Sequence, residues 1–335
     1  MSKGPWRVVQ FGLGPIGLAC ARAILEHPRL ELVGAIDHDP GLEGRALGAF
    51  LPMDAPHCDV VVVGDLDEAL EEGVSADVAI HTTQSRISQV RSQLEVICQA
   101  GLNVVSSCEE LLWPKTAAAE EAEALDAFAK EHGVSIIGSG VNPGFVLDTL
   151  ALVASAPSAQ VQKIIARRVV DAGSRRGPLQ RKVGAGKTEE EFRALAAEKK
   201  LGHVGLVESL DLVAAGLGWE LKRREEKLEP VMAEAAIETE HVTVAAGRVA
   251  GIHHTAVGET ADGRLIDIDL KMYVGAQDPH DEVHIEGTPK VHLEALGGIA
   301  GDSATTSMLI NLIPRIVEAA PGLRTMLDIG LPRSF

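Results

Sequence analysis

The stretch that most constrains the fold is RVVQFGLGPIGLACARAILEHPRLELVGAID, residues 7–37. An apolar run ends at Gly12, the first glycine of a G-x-G-x-x-G pattern that Gly14 and Gly17 complete. In such a pattern the first glycine permits a tight turn, the second lets a pyrophosphate approach the backbone, and the third lets a helix pack against the strand. Because apolar strand-like and helix-like segments flank it, this pattern predicts a dinucleotide-binding βαβ unit.

The residues after this turn indicate which dinucleotide binds. Pro15 and Ile16 open the helix, where a proline lacks only an amide hydrogen that would have no intrahelical partner, and where helix amides favour a phosphate. Asp37 ends the second strand about 20 residues after Gly17, where a carboxylate accepts hydrogen bonds from ribose hydroxyls and repels a ribose phosphate. The nearest downstream cation is Arg45. NAD is therefore the expected cofactor, and NADP use stays open.

Apolar strands and amphipathic helices alternate up to about residue 148. Six alternations predict an α/β fold with a Rossmann-type doubly wound parallel sheet over residues 1–148. Asp65 is expected to cap a short helix in this region. Ligands of such sheets lie beyond the carboxyl ends of the strands, so Thr82 and Thr83, with Gln84, are expected near the nicotinamide half of the cofactor.

Two glutamates follow the fifth predicted strand, in the stretch VVSSCEELLWP. Glu109 and Glu110 should emerge at the edge of the sheet where a nicotinamide ring and a substrate would meet. A carboxylate there could hold an ammonium group and take its proton. The alternative is an acid-rich helix start, which is common and stabilising. Asn142, in the turn-like sequence VNPGF, is a candidate for a second wall of the site.

The second half of the chain changes character. Residues 149–300 predict an α+β domain with a mostly antiparallel sheet, and residues 301–335 predict a helix containing Pro314 that returns to the first domain. Thr188 and Glu191 have the spacing of a capping box. Residues 174–187 predict a basic loop with Arg175, Arg176 and Lys182. Arg168 and His203 are candidates for substrate contacts, although a lone histidine is more often structural.

Composition limits the partners. The formal charge of −17 opposes nucleic acid and anionic membrane as partners, because both require a basic surface. A length of 335 residues favours two domains with a cleft between them. The beginning of the chain leads directly into the first strand and no stretch has the length of a spanning helix, so no signal peptide or membrane segment is expected. The four cysteines form no C-x-x-C pair, which is typical of reduced thiols in the cytoplasm.

Several histidines and acids in the second half could suggest a metal site. They are His253, His254, His280, His284 and His292, with Asp278, Asp281 and Glu282. None of them has an H-E-x-x-H or comparable spacing, so metal binding is a minority interpretation and no metal ligand is predicted.

Long motifs give the chain a resemblance to a known family. They are QFGLGPIG, HTTQS, VVSSCEELLWP, GSGVNPGFVLD, RRVVDAGSRRGPLQRKVGAGKTEEEF, GHVGLVESL and GGIAGDSATTSMLIN. Over nearly its whole length the chain resembles the 2,4-diaminopentanoate dehydrogenases and the related native amine dehydrogenases. The amino-terminal domain is also similar to that of dihydrodipicolinate reductases. The catalytic region of those reductases does not match, because the lysine expected after His253 and His254 is absent.

This resemblance implies an NAD(P)-dependent amine dehydrogenase, which deaminates an amine or diamine oxidatively or, in reverse, aminates a ketone with ammonia. The catalytic glutamate of the family lies in the stretch matched by CEEL, which leaves Glu109 and Glu110 as alternatives. Asn142 is expected at the cofactor, and the substrate pocket is expected to include Phe145, Arg168, His203 and Thr306. A homodimer is implied as well. The alternatives are a reductase of a cyclic imine or semialdehyde, and a non-catalytic NAD-binding sensor.

Overall fold

The computed structural model describes residues 4–71, 73–175 and 177–335. These residues form two compact units. The first comprises the chain up to Gly144 together with Ala300–Phe335, and the second comprises Phe145–Ile299. The chain therefore leaves the first unit once and re-enters it at its carboxyl-terminal segment.

A parallel sheet of seven strands forms the centre of the first unit. The strands are β1 (Trp6–Phe11), β2 (Leu30–Ile36), β3 (Val62–Val63), β4 (Val78–His81), β5 (Asn103–Ser106), β6 (Ser135–Gly138) and β15 (Gly322–Arg324), in the order β15-β6-β5-β4-β1-β2-β3. The strand order reverses direction between β1 and β4, and a crevice at the carboxyl ends of the strands opens at such a point in doubly wound folds. The predicted Rossmann-type sheet is confirmed.

Helices connect these strands. They are α1 (Pro15–Glu26), α2 (Leu66–Ala69), α3 (Ile87–Gln99), α4 (Ala119–Glu131) and α9 (Gly301–Val317). The prediction that Asp65 caps α2 is confirmed, because its side chain accepts a hydrogen bond from the amide of Glu68. Helix α9 packs beside α1 and continues through Pro314. One face of the sheet and helices α3 and α4 bury a shared apolar core.

The second unit is built on a six-stranded sheet. Its strands are β7 (Ala159–Asp171), β8 (Leu221–Met232), β11 (Val249–Thr260), β12 (Leu265–Tyr273), β13 (His280–Thr288) and β14 (Val291–Leu296), in the order β14-β13-β7-β12-β11-β8. All neighbours are antiparallel except β7 and β12. A two-stranded ribbon, β9 (Ile237–Glu238) and β10 (Thr243–Val244), forms a separate sheet. The mostly antiparallel sheet predicted for this half is confirmed.

Helices cover one face of this sheet. The unit contains α5 (Thr149–Ser155), α6 (Gly177–Lys182), α7 (Glu189–Ala197) and α8 (Leu206–Gly216). Helix α8 packs on β11 and β12, and α5 packs on β7 and β13. Strands β11, β12 and β13 alternate buried and partly exposed residues. Because side chains alternate between faces along a strand, one face is covered and the other is half-exposed.

Several predicted elements differ from the observed ones. Residues 174–187 do not form a continuous loop, since Gly177–Lys182 is helical, and Arg176 lies outside the described residues. The apolar run at residues 59–63 also predicts a strand, and the β-rich runs of the second half begin at Pro230; the observed β3 spans only Val62–Val63, and β8 already begins at Leu221. The capping box is confirmed, because Thr188 accepts from the amide of Glu191 while Glu191 accepts from the amide of Thr188. No helix among the described residues has the length and apolar character needed to cross a membrane.

Candidate active site

The glycine-rich turn lies between β1 and α1. Gly12 has a φ of +89°, and its amide donates to the carbonyl of Ile36 at 2.8 Å. A Cβ atom on Gly17 would lie 1.9 Å from the carbonyl oxygen of Gly12, so the start of the helix can contact the turn only through a glycine. Gly14 has no atom within 4 Å of the position of a Cβ, which leaves its backbone open to a ligand. The three glycines thus have the three different roles that dinucleotide binding requires.

Polar side chains of neighbouring strands brace this turn. The Thr82 hydroxyl donates to the carbonyl of Gly12 at 2.9 Å, and Gln10 Nε2 donates to the Thr82 hydroxyl and to the same carbonyl, each at 2.9 Å. Thr82, predicted near the nicotinamide, therefore holds the glycine-rich turn through its side chain. Gln10 was missed in the sequence, where the only indication was a buried polar residue inside an apolar strand.

The Asp37 carboxylate lies at the end of β2, against the same turn. Its Oδ2 accepts from the amide of Leu13 at 2.6 Å, and its Oδ1 accepts from the amide of Asp39 at 2.9 Å. The side chain is only half-buried. A carboxylate fixed in this way at the end of the second strand is suited to accept hydrogen bonds from ribose hydroxyls.

A hydrogen-bonded chain links the ends of β4 and β5. The two ring nitrogens of His81 contact Ser106 Oγ and Gln93 Oε1, each at 2.9 Å, and Thr83 Oγ1 donates to Gln93 Oε1 at 2.8 Å. Burial lowers the pKa of His81 to about 4, so its ring is neutral. The amide of Cys108 donates to Ser106 Oγ at 3.1 Å. This chain fixes the backbone just before the two candidate glutamates.

The two glutamates occupy different environments in the 3-10 turn Glu109–Leu112. Glu110 is 7% exposed, its Oε2 accepts from the amide of Ile87 at 2.8 Å, and its Oε1 lies 3.5 Å from Nη1 of Arg86. Ile87 is the first residue of α3, so Glu110 satisfies a helix amide and complements the helix dipole. Glu109 is half-buried. Glu110 therefore has a stabilising role at a helix start, which was the alternative to a catalytic role for these two acids.

Asn142 follows β6, whose carboxyl end lies at the same edge of the sheet as those of β4 and β5. Both polar atoms of its side-chain amide are buried, and neither has a hydrogen-bond partner among the described residues. An unpaired buried amide is costly in a native protein, which makes it a candidate for ligand contact. Thr306, on α9, donates its hydroxyl to the carbonyl of Asp302 at 3.0 Å and contacts Cys20 of α1.

These residues fit a dinucleotide. Gly14 offers an open backbone at the N-terminus of α1, where Pro15 and Ile16 begin the first turn and where amides lack intrahelical partners. Asp37 offers a fixed carboxylate, and Asn142 offers an unsatisfied amide. Such a combination suits a pyrophosphate and a ribose.

The second unit holds Phe145, Arg168 and His203. Arg168 is 3% exposed, its Nη1 lies 2.9 Å and 3.0 Å from the carboxylate oxygens of Asp281, and its Nη2 donates to the carbonyl of Ile299 at 2.7 Å. Burial lowers the pKa of Arg168, but guanidinium remains charged because its ordinary pKa exceeds 12. Phe145 is half-buried, and its carbonyl accepts from the amide of Leu150 at the start of α5.

His203 is held through its backbone. Its amide donates to Nδ1 of His254 at 3.3 Å, and Nε2 of His254 lies 2.9 Å from Glu226. Burial, together with the charge of Lys182, lowers the pKa of His203 to about 3. Arg168 contributes to the same effect, so these two predicted pocket residues are neighbours within the second unit. Nε2 of His203 is buried without a partner among the described residues.

The parallel sheet, the braced glycine-rich turn and the carboxylate at the end of β2 define an NAD(P)-binding protein of the Rossmann type. Residues 145–335 match the family model described as the 2,4-diaminopentanoate dehydrogenase C-terminal domain. Residues 6–138 match the model for the N-terminus of dihydrodipicolinate reductase. The chain belongs to the 2,4-diaminopentanoate dehydrogenase family, and the resemblance of its motifs is confirmed.

Individual relatives agree with this assignment. A 2,4-diaminopentanoate dehydrogenase of Acetoanaerobium sticklandii is 32% identical, with 98% of this chain and 94% of that protein covered. An amine dehydrogenase of Streptomyces virginiae is 25% identical, with 96% of each protein covered. The solved structure of an amine dehydrogenase from Mycobacterium smegmatis has a TM-score of 0.87 at 24% identity, with 98% of this chain and 97% of that chain covered. The chain is thus an oxidoreductase of the amine dehydrogenase class.

Proposed function

We propose that the protein is an NAD-dependent amine dehydrogenase that interconverts an amine or diamine with the corresponding ketone and ammonia. The observation that carries this proposal is the different use of the two glutamates after β5. Glu110 caps α3 and contacts Arg86. We assign the action on the amine to Glu109, which is half-buried and follows β5 at the carboxyl ends of the strands, in the same unit as the glycine-rich turn for the cofactor.

NAD is the proposed cofactor, with NADP as a weaker alternative. When bound, it would supply hydride transfer from the carbon that carries the amine, or to that carbon in the direction of amination. The Asp37 carboxylate favours a free ribose hydroxyl over a phosphate because of its negative charge. The α1 N-terminus would hold the pyrophosphate. The side-chain amide of Asn142, which has no hydrogen-bond partner among the described residues, would bind the cofactor.

The role of Glu109 is proton transfer and charge stabilisation. In the direction of amination, the Glu109 carboxylate accepts a proton from ammonium, and the resulting ammonia adds to the ketone carbon. One proton then moves from the nitrogen to the former ketone oxygen, and Glu109 returns its own proton to that hydroxyl, so that water leaves and a cationic iminium group forms, which the carboxylate stabilises. In the direction of deamination it accepts a proton from the substrate ammonium group.

The proposed substrate contacts within the second unit are Phe145, Arg168 and His203. His203 is neutral, and its buried Nε2 has no partner among the described residues, so it would form a hydrogen bond with substrate and not an ion pair. Nη1 of Arg168 contacts the carboxylate of Asp281, and Nη2 donates to the carbonyl of Ile299, so the guanidinium group is held in one position. A small aliphatic amine or ketone fits a chain in which only 3% of residues are aromatic.

The assembly and location are also proposals. A homodimer formed through the second unit is supported by the sheet face that its own helices leave half-exposed. Sedimentation equilibrium would give twice the mass of the chain if this is correct. A cytoplasmic location is supported by four free and buried cysteines.

The first test is NADH oxidation with a panel of small aliphatic ketones and 2-amino-4-oxopentanoate, with and without ammonium. Turnover that requires ammonium supports the amine dehydrogenase. Turnover without ammonium would identify an imine or semialdehyde reductase, and tight NADH binding without turnover would identify a sensor.

The second test is a matched pair of variants. Glu109→Gln should lower kcat by about 10²- to 10⁴-fold, the usual contribution of a general acid or base, and leave NADH affinity unchanged. Glu110→Gln should retain turnover and lower the melting temperature. The opposite pattern would assign the proton transfer to Glu110.

A further inference from the structure

Three ligand-type side chains meet on the half-exposed face of the six-stranded sheet. His284 of β13 and His292 of β14 are direct partners in the antiparallel register. Their rings stack with centroids 3.7 Å apart and planes inclined by 17°. Glu282 precedes His284 by two residues, so its side chain projects from the same face. The strand register, and not a sequence motif, brings these three residues together.

The ligand atoms converge on one oxygen. Glu282 Oε2 lies 2.9 Å from Nε2 of His284 and 3.4 Å from Nε2 of His292. The three ligand atoms all lie within 4.8 Å of one another. Bonds of about 2.0–2.2 Å to a tetrahedral zinc ion would separate its ligand atoms by about 3.3–3.6 Å. The stacked rings need only turn about χ2, a soft torsion in histidine, for both nitrogens to face the same point.

The other oxygen of the carboxylate is held by an arginine. Arg167 Nη1 on the neighbouring strand donates to Glu282 Oε1 at 2.8 Å. This contact orients the carboxylate and leaves Oε2 toward the histidines. Metal-binding carboxylates are commonly held in this way by a hydrogen-bonding partner.

Other histidines of the unit lack this arrangement. Nε2 of His253 lies 3.0 Å from Oδ1 of Asp269, and Nε2 of His254 lies 2.9 Å from Oε1 of Glu226. Within the part of the chain that the structure describes, Glu282, His284 and His292 are the one group of three or more potential ligands with this convergence. A simple ion pair needs one histidine, whereas this group supplies two imidazoles and a carboxylate.

We propose that Glu282, His284 and His292 form a binding site for a divalent transition metal ion, with Zn²⁺ as the best fit. Two imidazole nitrogens and one carboxylate oxygen are the donor set of borderline ions, and water completes the coordination. Glu294, directly opposite Glu282 in the register, is the candidate for a fourth ligand. Because β14 is an edge strand, a bound ion would link it to β13 and stabilise the folded protein.

The test is metal binding to the full chain after treatment with a chelator. Titration with Co²⁺ should produce visible absorption bands that saturate at one ion per chain, and Zn²⁺ should displace them. Zn²⁺ should also raise the melting temperature of the protein. If neither Co²⁺ nor Zn²⁺ binds saturably, the proposal is overturned.

Variants locate the site. Arg167→Gln should weaken Zn²⁺ binding by about 10- to 100-fold, the usual effect of losing the partner of a ligand, and His284→Gln or His292→Gln should weaken it more. His253→Gln, on the same face, is the matched control and should bind as the unmodified protein does. His292 is exposed, so its replacement should leave the circular dichroism spectrum unchanged. Unaltered Zn²⁺ affinity in His292→Gln would refute the assignment.

Discussion

The buried ion pair of Arg168 and Asp281 should control the stability of the second unit. These side chains are 3% and 2% exposed, and both oxygens of Asp281 contact Nη1 of Arg168. Asp281 Oδ2 also accepts from the amide of Ile299 at 2.7 Å. Asp281→Asn keeps the shape but removes the negative charge, which leaves a buried guanidinium without its counter-ion. Breaking a buried pair in this way costs about 3–5 kcal/mol.

The assay is thermal unfolding followed by circular dichroism. For a domain of this size each kcal/mol shifts Tm by about 2–4 °C, so Asp281→Asn should lower the Tm by about 6–20 °C. Glu189→Gln is the control, because Glu189 pairs with Arg193 at 2.8 Å while both side chains are about half-exposed. Such a pair contributes at most about 1 kcal/mol.

A double variant separates loss of charge from loss of packing. Arg168→Met combined with Asp281→Leu removes both charges and retains apolar volume, so it should recover most of the lost stability. The reasoning is refuted if Asp281→Asn unfolds at the same temperature as Glu189→Gln. It is also refuted if the double variant is as unstable as the single one.

Three further predictions follow from the first unit. Since burial lowers the folded pKa of His81 from 6.5 to about 4, the unfolded chain binds a proton between these pH values that the native chain does not. The free energy of unfolding should therefore fall as the pH falls through this window, by up to about 1.4 kcal/mol per pH unit from this group, and His81→Gln should show a shallower slope in urea titrations. Gly14→Ala should weaken NADH binding in calorimetry without lowering the Tm. Gly17→Ala should weaken NADH binding and also lower the Tm, because its Cβ would overlap the carbonyl of Gly12. Asp37→Ser should shift the ratio of kcat/KM values toward NADP; an unchanged ratio would contradict the assigned role of the carboxylate.

The sequence predicted those parts of the fold that depend on residues close together along the chain. The glycine-rich turn, the cap at Asp65 and the capping box at Thr188 each depend on residues close together in the chain. Strand β15 has no such local pattern, and it forms because Gly322–Arg324 pairs with β6 after the chain returns to the first unit. Such pairing between distant segments leaves no periodicity in a three-residue strand.

The same distinction between local and distant causes applies to the candidate active site and to the proposed metal site. The position of Asp37 follows from its spacing after the glycines, and it was predictable. The convergence of Glu282, His284 and His292 depends on the register of β13 and β14, so no spacing along the chain could indicate it. The chain of hydrogen bonds through His81 and Ser106 likewise connects two strands that are neighbours only in the folded sheet.

The adjacent glutamates show why the sequence left both Glu109 and Glu110 as alternatives for the proposed proton transfer. In a 3-10 turn consecutive side chains point about 120° apart, so only one of the two can reach the start of α3. Glu110 does so, because it is the one that meets the amide of Ile87. This contact and the hydrogen bond from the amide of Cys108 to the hydroxyl of Ser106 fix the turn on both sides of Glu109. A carboxylate held on such a fixed turn needs little reorganisation when charge develops beside it, which is the property that catalysis requires.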